Sequence, residues 1–309
     1  MELFKRVTSL DFMGMRKAVG IISILLCFAS MLIIYTKGIA FGLEFTGGTQ
    51  IELRFNQPIE LNYLNRHLDK YGFSDLRTRH YGSTKDVLIR LANSNLNAEG
   101  KIADKIQLAF QDSAYSVEIR SIEYVGSEVG NQLAKQGVLA IVVAIVAIML
   151  YIAVRFEYRF AVTAALGLVH DTMIVLGILS FFQVDFDLVT LGAVLAMVGY
   201  SLNDTIVVFD RVRENFRVVR TGTSYEIINL AINQTLSRTI MTSFLTLLVV
   251  VALLLFGGSA LHGFSLTLFL GIIIGTYSSI YVSGAFAMYM GLSRSDFLPK
   301  ARVALDDLP

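Results

Sequence analysis

A chain of 309 residues that is 54% hydrophobic and only 17% charged, with a mean hydropathy of +0.61, is too apolar for a soluble domain, where about a quarter of residues carry charge. Its net charge of +1 gives no electrostatic footprint for nucleic acid, and its single cysteine, Cys27, excludes an intramolecular disulfide. Tryptophan is absent, so anchoring at a membrane interface falls to Tyr, Phe and Arg.

A membrane-crossing helix needs about 20 apolar residues. The first such stretch, 18–36, lies uncharged between Lys17 and Lys37. It is too long for the apolar region of a cleaved signal peptide and no small-x-small site follows, so it reads as an uncleaved anchor after an N-terminal segment, 1–17. The next hundred or so residues, 37–135, have ordinary soluble composition. Within them TQIELRF (49–55) alternates like a half-buried strand, and PIELNYLNRHLDKYG (58–72) opens on a proline and closes on a glycine as a helix does. LRTRHYG (76–82) and TKDVLIRLA (84–92) read as a hairpin, residues 96–111 as a helix and 115–126 as a strand. That order, βαββαβ, is the ferredoxin-like pattern, which indicates no activity by itself. The domain carries no metal-ligand cluster, nucleophile triad or phosphate loop, so no catalytic residue, metal or cofactor is assigned and the protein does not read as an enzyme.

Five more apolar stretches follow. The second span is 136–154; the third, 160–182, is interrupted by His170 and Asp171; the fourth, 188–209, by Asp204. A loop at 210–235 leads to the fifth span, 236–256, and the sixth, 265–290, precedes a tail at 291–309. Basic residues fall in alternate segments: Lys5, Arg6, Arg16 and Lys17; Arg155 and Arg159; Arg211, Arg213, Arg217 and Arg220; Arg294, Lys300 and Arg302. The segments at 183–187 and 257–262 hold no Lys or Arg. The positive-inside rule then places both termini in the cytoplasm and the 37–135 domain outside it. The fold class is a polytopic α-helical membrane protein with six transmembrane helices and a ferredoxin-like α+β (βαββαβ) extracytoplasmic domain between helices 1 and 2.

A carboxylate within a span costs about 2.5–3.5 kcal/mol on insertion scales. Asp204 lies among Asn203 and Thr205, beside a run of small residues, Gly192, Ala196, Gly199 and Asn203, along which another helix can approach closely. On the fifth span Thr235, Arg238, Thr242 and Thr246 share one face, with Thr239 and Ser243 beside it. Set opposite Asp204, Arg238 would hold the carboxylate ionised, and its withdrawal would favour protonation, which is the chemistry of a proton relay. Plainer readings stand beside this one. Arg238 reads equally as a basic anchor at the membrane surface, Asp204 as a packing hydrogen bond, and His170 with Asp171 as either part of a relay or a satisfied interhelical pair. Gly271-x-x-x-Gly275 on the sixth span is a packing signal, with Thr276, Ser279 and Ser283 making a weaker polar face.

Several stretches taken together carry a resemblance. GYSLNDTIVVFDRVREN (199–215) resembles the fourth-span motif of the SecF family of bacterial protein-export membrane subunits, within the resistance-nodulation-division superfamily. FGLEFTGGTQIEL (41–53) is similar to that family's glycine box after the first span, with Glu44 where the family usually has aspartate. YVGSEVG (124–130), RFEYRFA (155–161), VHD (169–171), NQTLSRTIMTS (233–243), GFSLTL (263–268) and GTYSSIY (275–281) resemble the family at the remaining spans, in order along nearly the whole chain. The resemblance implies a SecD partner, association with the SecYEG channel and YajC, a translocating preprotein, and use of the proton motive force in late export across the bacterial inner membrane. Carried over by motif, Asp204 and Arg238 are its proton-coupling residues. Asn203, Thr205, Thr235 and Thr242 are read as a supporting polar face, and Glu44, Phe45, Thr46, Gly47, Gly48 and Thr49 as a hinge with a flexible turn at the glycines. Alternatives are a structural subunit that stabilises SecD and the channel without its own proton coupling, and half of a proton-coupled exporter of a lipid or small molecule.

Overall fold

The computed structural model describes residues 8–73, 76–91, 99–111, 113, 115–156, 158–219, 221–258 and 260–291. Lys5, Arg6, Arg220, Arg294, Lys300 and Arg302 of the orientation argument lie outside them, as does nearly all of the 291–309 tail. The chain forms two compact units: one takes in Ala40–Val142 and Asp185–Leu191, and the other holds the remaining described residues.

In the first unit a one-turn helix α2 (Leu43–Thr46), after the span helix α1 (Arg16–Lys37), leads into strand β1 (Gly48–Phe55). Helix α3 (Leu61–Asp69), strands β2 (Leu76–Tyr81) and β3 (Ser83–Leu91), helix α4 (Glu99–Phe110) and strand β4 (Val117–Val125) follow. The sheet order is β2-β3-β1-β4 with antiparallel pairing throughout, so the expected βαββαβ domain is present. Its core follows from period-two patterning: Ile51, Leu53 and Phe55 of β1 and Val87 and Ile89 of β3 are buried together with Leu64 and Leu68 of α3 and Ile102 and Ile106 of α4. Gly72, expected to close α3, does so three residues beyond the helix end with φ at +84°. The unit also holds the first turn of α7, described below.

The second unit is helical. Helix α5 (Ser127–Arg155) contributes its latter part, and α6 (Tyr158–Phe181), α7 (Leu188–Val218), α8 (Ser224–Phe256) and a sixth span follow. That last span comprises α9 (His262–Tyr277), a π-helical turn (Ser278–Val282) and α10 (Ser283–Tyr289). Among the described residues six helices are long and apolar enough to cross a membrane. Among their apolar windows α6 and α7 are the most enclosed, 56% buried against 11% for α1 and α5, so the two carboxylate-bearing helices are the inner ones. Phe160 and Phe209 pack at 4.6 Å between ring centroids in their shared core, with Phe156, Val212 and Phe216 nearby.

Helices run past the apolar stretches that announce them. α8 starts at Ser224, inside the segment expected to be a loop, because Thr223 and Glu226 form a reciprocal capping box. Residues 8–15 are held against α8 as well. Asn233 Oδ1 accepts from the Leu10 amide at 2.9 Å, and Asn229 Oδ1 accepts from the Phe12 amide at the same distance.

Candidate functional site

Three rungs build the site. On α9 and the turn after it, Gly271, Gly275 and Ser279 recur every four residues; on α7, Met197, Ser201 and Asp204 face them. A Cβ at Gly271 would collide with the Met197 side chain, and one at Gly275 would lie 3.0 Å from Ser201 Cβ. These two glycines let the helices approach until Ser279 reaches Asp204. Ser279 belongs to the π-helical turn, a local widening frequent at functional positions.

Asp204 is 7% exposed, and its two carboxylate oxygens accept hydrogen bonds from hydroxyls alone. Thr239 Oγ1 of α8 donates to Oδ1 at 2.7 Å, and Ser279 Oγ donates to Oδ2. Further hydroxyls continue from there: Thr276 and Ser243 are bonded at 2.7 Å, and Tyr200 donates to Ser243 at 3.3 Å. A second buried carboxylate, Asp171 at 1% exposure, lies on α6. It is bonded to His170 Nδ1 at 2.8 Å and accepts from Ser201 Oγ at 2.5 Å. Ser201 and Asp204 are three residues apart on α7, so one helix face serves both carboxylates. His170 Nε2 is buried with no hydrogen-bond partner among the described residues, and the residue borders an apolar cavity of about 640 Å³ between α1, α6 and α10.

Among the described residues no Lys, Arg or His nitrogen lies within ion-pairing distance of Asp204. Arg238 is exposed on α8, one residue from Thr239, and forms no ion pair among the described residues. The structure therefore brings Asp204 and Arg238 to neighbouring faces without joining them. Of the supporting set, Thr205 is buried and Asn203 is exposed. Thr235 and Thr242 spend their hydroxyls on carbonyls of their own helix, Ala231 and Ile232 for the first, Arg238 and Thr239 for the second. The two residues that cage Asp204, Thr239 and Ser279, are ones the sequence placed only beside the polar stripe and on the weaker polar face of the sixth span, and Ser201, which bonds Asp171, was not singled out although it lies one helical turn from Thr205.

The glycine box has its own geometry. Glu44, Phe45 and Thr46 are in α2, and Gly47 and Gly48 adopt φ of +67° and +111°, a region open to glycine. A Cβ on Gly47 would lie 3.0 Å from Ser127 Cα, and one on Gly130 3.0 Å from the Gly47 nitrogen. The turn expected to be flexible is thus packed against the first turn of α5. Thr49 is buried in β1. Burial pushes the Glu44 carboxyl above its ordinary range, with Asp187 adding to the effect and a backbone hydrogen bond and Arg90 opposing it.

The family described as "Protein export membrane protein SecD/SecF, C-terminal" matches residues 105–293, and "SecD/SecF GG Motif" matches residues 32–59. A protein translocase subunit SecF of Pseudomonas aeruginosa is 45% identical over 98% of this chain and 99% of its own length. Its counterpart in Vibrio alginolyticus is 43% identical over 100% of this chain and 99% of its own length. The crystal structure of SecDF from Thermus thermophilus, a translocon-associated membrane protein, superimposes with a TM-score of 0.85 at 36% identity, covering 94% of this chain and 39% of that one.

Proposed function

The chain belongs to the SecD/SecF family of protein-export membrane proteins, as a multi-pass subunit of the SecF type, and from that premise we propose that it couples proton movement to late preprotein translocation. One observation carries the reading: a buried carboxylate in an inner span, caged by hydroxyls and with no cation in ion-pairing reach among the described residues. A hydroxyl can donate to an ionised carboxylate or accept from a protonated one, so Thr239 and Ser279 serve Asp204 in both states. A proton crossing 100 mV releases about 2.3 kcal/mol, enough to bias a two-state rearrangement by about fifty-fold.

Arg238 takes its place in this reading from outside the chain. The exposed face of α7 carries Gly192, Ala196, Gly199 and Asn203, and among the described residues no atom beyond the local helix backbone lies within 4 Å of a Cβ built on Gly192 or Gly199. We assign that face, with Arg238, to the SecD partner, whose helices would bring Arg238 a counter-charge and gate its approach to Asp204. SecYEG, YajC and the emerging preprotein are the further partners, and the bacterial inner membrane with both termini cytoplasmic is the setting. His170 and Asp171 would extend the relay through Ser201.

Preprotein translocation into inverted membrane vesicles, with and without an imposed proton gradient, tests this with Asp204→Asn. Loss of the SecD-dependent stimulation in an intact complex is the expected result. Full stimulation would make Asp204 a packing residue and the chain a structural subunit.

A further inference from the structure

Asp185 and Asp187 precede α7 in a segment, QVDFDL, that the function above leaves unused. Asp187 caps the helix: its Oδ1 accepts from the Thr190 amide at 2.6 Å, and Thr190 Oγ1 donates to the Asp185 carbonyl at 3.0 Å. Phe186 adds a short parallel bridge to Phe41, its amide donating to the Ala40 carbonyl at 2.7 Å and its carbonyl accepting from the Gly42 amide at 2.8 Å. Its ring stacks on Phe45 at 6.1 Å.

The Asp185 side chain completes the attachment. Arg79 of β2 and Arg90 of β3 both donate to its Oδ2, Arg90 at 2.6 Å. Arg90 pairs directly across the strands with Arg77, so Arg79 is its diagonal neighbour on the same sheet face. Two guanidiniums so placed repel unless an anion lies between them, and Asp185 is that anion. Arg90 also donates to Gln50 Oε1 of β1 at 2.8 Å and to the Phe41 carbonyl at 2.9 Å. The clasp therefore grips three neighbouring strands and fixes the capped start of α7 to them. The covalent exits of this domain run to α1 and α5, whereas its tie to α7 is made through space. From that tie α7 continues as one unbroken helix to Val218, with Asp204 about 24 Å beyond Leu188 at 1.5 Å per residue.

We infer that the Asp185–Arg79–Arg90 clasp is the joint through which displacement of α7 reaches the sheet domain, making Asp185 a positioning residue for the export step. The inference rests on the proton-coupling reading of Asp204. Repacking of α7 on a change at Asp204 moves the helix end, and the clasp converts that movement into displacement of three strands.

The test uses the full chain in its SecD complex, reading proton flux and gradient-stimulated translocation in the same vesicles. Asp185→Asn should keep the flux and lose the stimulation, whereas Asp204→Asn should lose both. Asp185→Glu, which keeps the charge, should retain stimulation. A disulfide between Phe41→Cys and Phe186→Cys, the bridge partners beside the clasp, should restore stimulation to Asp185→Asn on oxidation and release it on reduction. If Asp185→Asn fails to accumulate, Arg90→Gln takes its place under the same criteria. Retained stimulation in Asp185→Asn while Asp204→Asn loses it would overturn the joint and leave the proton reading standing. Retained stimulation in Asp204→Asn would overturn both, and an oxidised disulfide that restores nothing would overturn the joint.

Discussion

Glu44 shows what one titratable side chain in this fold predicts. Its carboxyl is pushed up by burial, so the folded state favours the protonated form. A raised folded value contributes stability that is fully present below the ordinary carboxylate range and lost as pH rises through the folded value. At neutral pH the ionised group is therefore a burden on the sheet domain. Glu44→Gln should raise the thermal stability of the chain at neutral pH, by under about 1 kcal/mol because the group is partly exposed and screened. The difference should close under acid, where both side chains are neutral. Thermal unfolding at the two pH values checks it, and a gain that persists in acid would assign the effect to packing. Among the membrane residues, Asp204 was legible because a carboxylate in an apolar run has few explanations. The direction of Arg238 was not. Adjacent residues on a helix differ by about 100°, and periodicity finds the faces of α8 without saying which one is inward. The stripe Thr235, Arg238, Thr242 and Thr246 was visible in sequence, but it is the adjoining Thr239 that bonds Asp204, with Ser243 bonded to Thr276.

At the scale of elements, the contact of α7 with α9 decides whether the cage exists. Gly275→Leu would drive a side chain into Ser201, whose Cβ, Oγ and Cα already lie 3.0, 3.1 and 3.5 Å from the position of a Cβ at residue 275. Overpacking of this kind costs about 1–3 kcal/mol, and here it would also draw Ser279 away from Asp204. The expected outcome is a lower melting temperature of the chain together with loss of gradient-stimulated translocation; a variant with the stability defect but full stimulation would show that Ser279 is dispensable to the carboxylate. GxxxG spacing identified the close approach in advance, yet a packing motif carries no address for its partner. Element ends were less legible than element existence. Hydropathy marks only residues that prefer lipid, whereas SEVGNQLAKQ at the start of α5 is polar and helical, and α8 begins where its capping box dictates. The βαββαβ order was readable from alternation and turn residues, while α2 and the Asp185 clasp were not. Their partners are brought together by tertiary folding across about a hundred residues of sequence, and local pattern holds no trace of that.

For the whole molecule, the two glycine seams permit a contrast that separates folding from assembly. Gly275 is filled by Ser201 of the same chain, whereas Gly199 on the outer face of α7 has no atom of the described residues beyond its own helix backbone within 4 Å of its Cβ position. The Cβ of a leucine at residue 199 would contact nothing beyond its own helix backbone among the described residues, and the change removes a glycine from a helix interior, worth up to about 1 kcal/mol in favour of the helix. The isolated chain should therefore be as stable with Gly199→Leu as without it, or slightly more so. If the seam receives a SecD helix, the same leucine holds that helix away and costs association, because small residues are what permit close approach in a bilayer. Co-purification with SecD after membrane solubilisation, set beside the melting temperature of the chain alone, reads both quantities. Weakened association at unchanged stability would fix the SecD face on α7 and place Arg238 at its border. Undiminished association would turn that face toward lipid and require Arg238 to find its counter-charge elsewhere. The reciprocal pattern is expected of Gly275→Leu, whose defect begins within the chain, so the pair of substitutions distinguishes a seam already closed by folding from one left open for a partner.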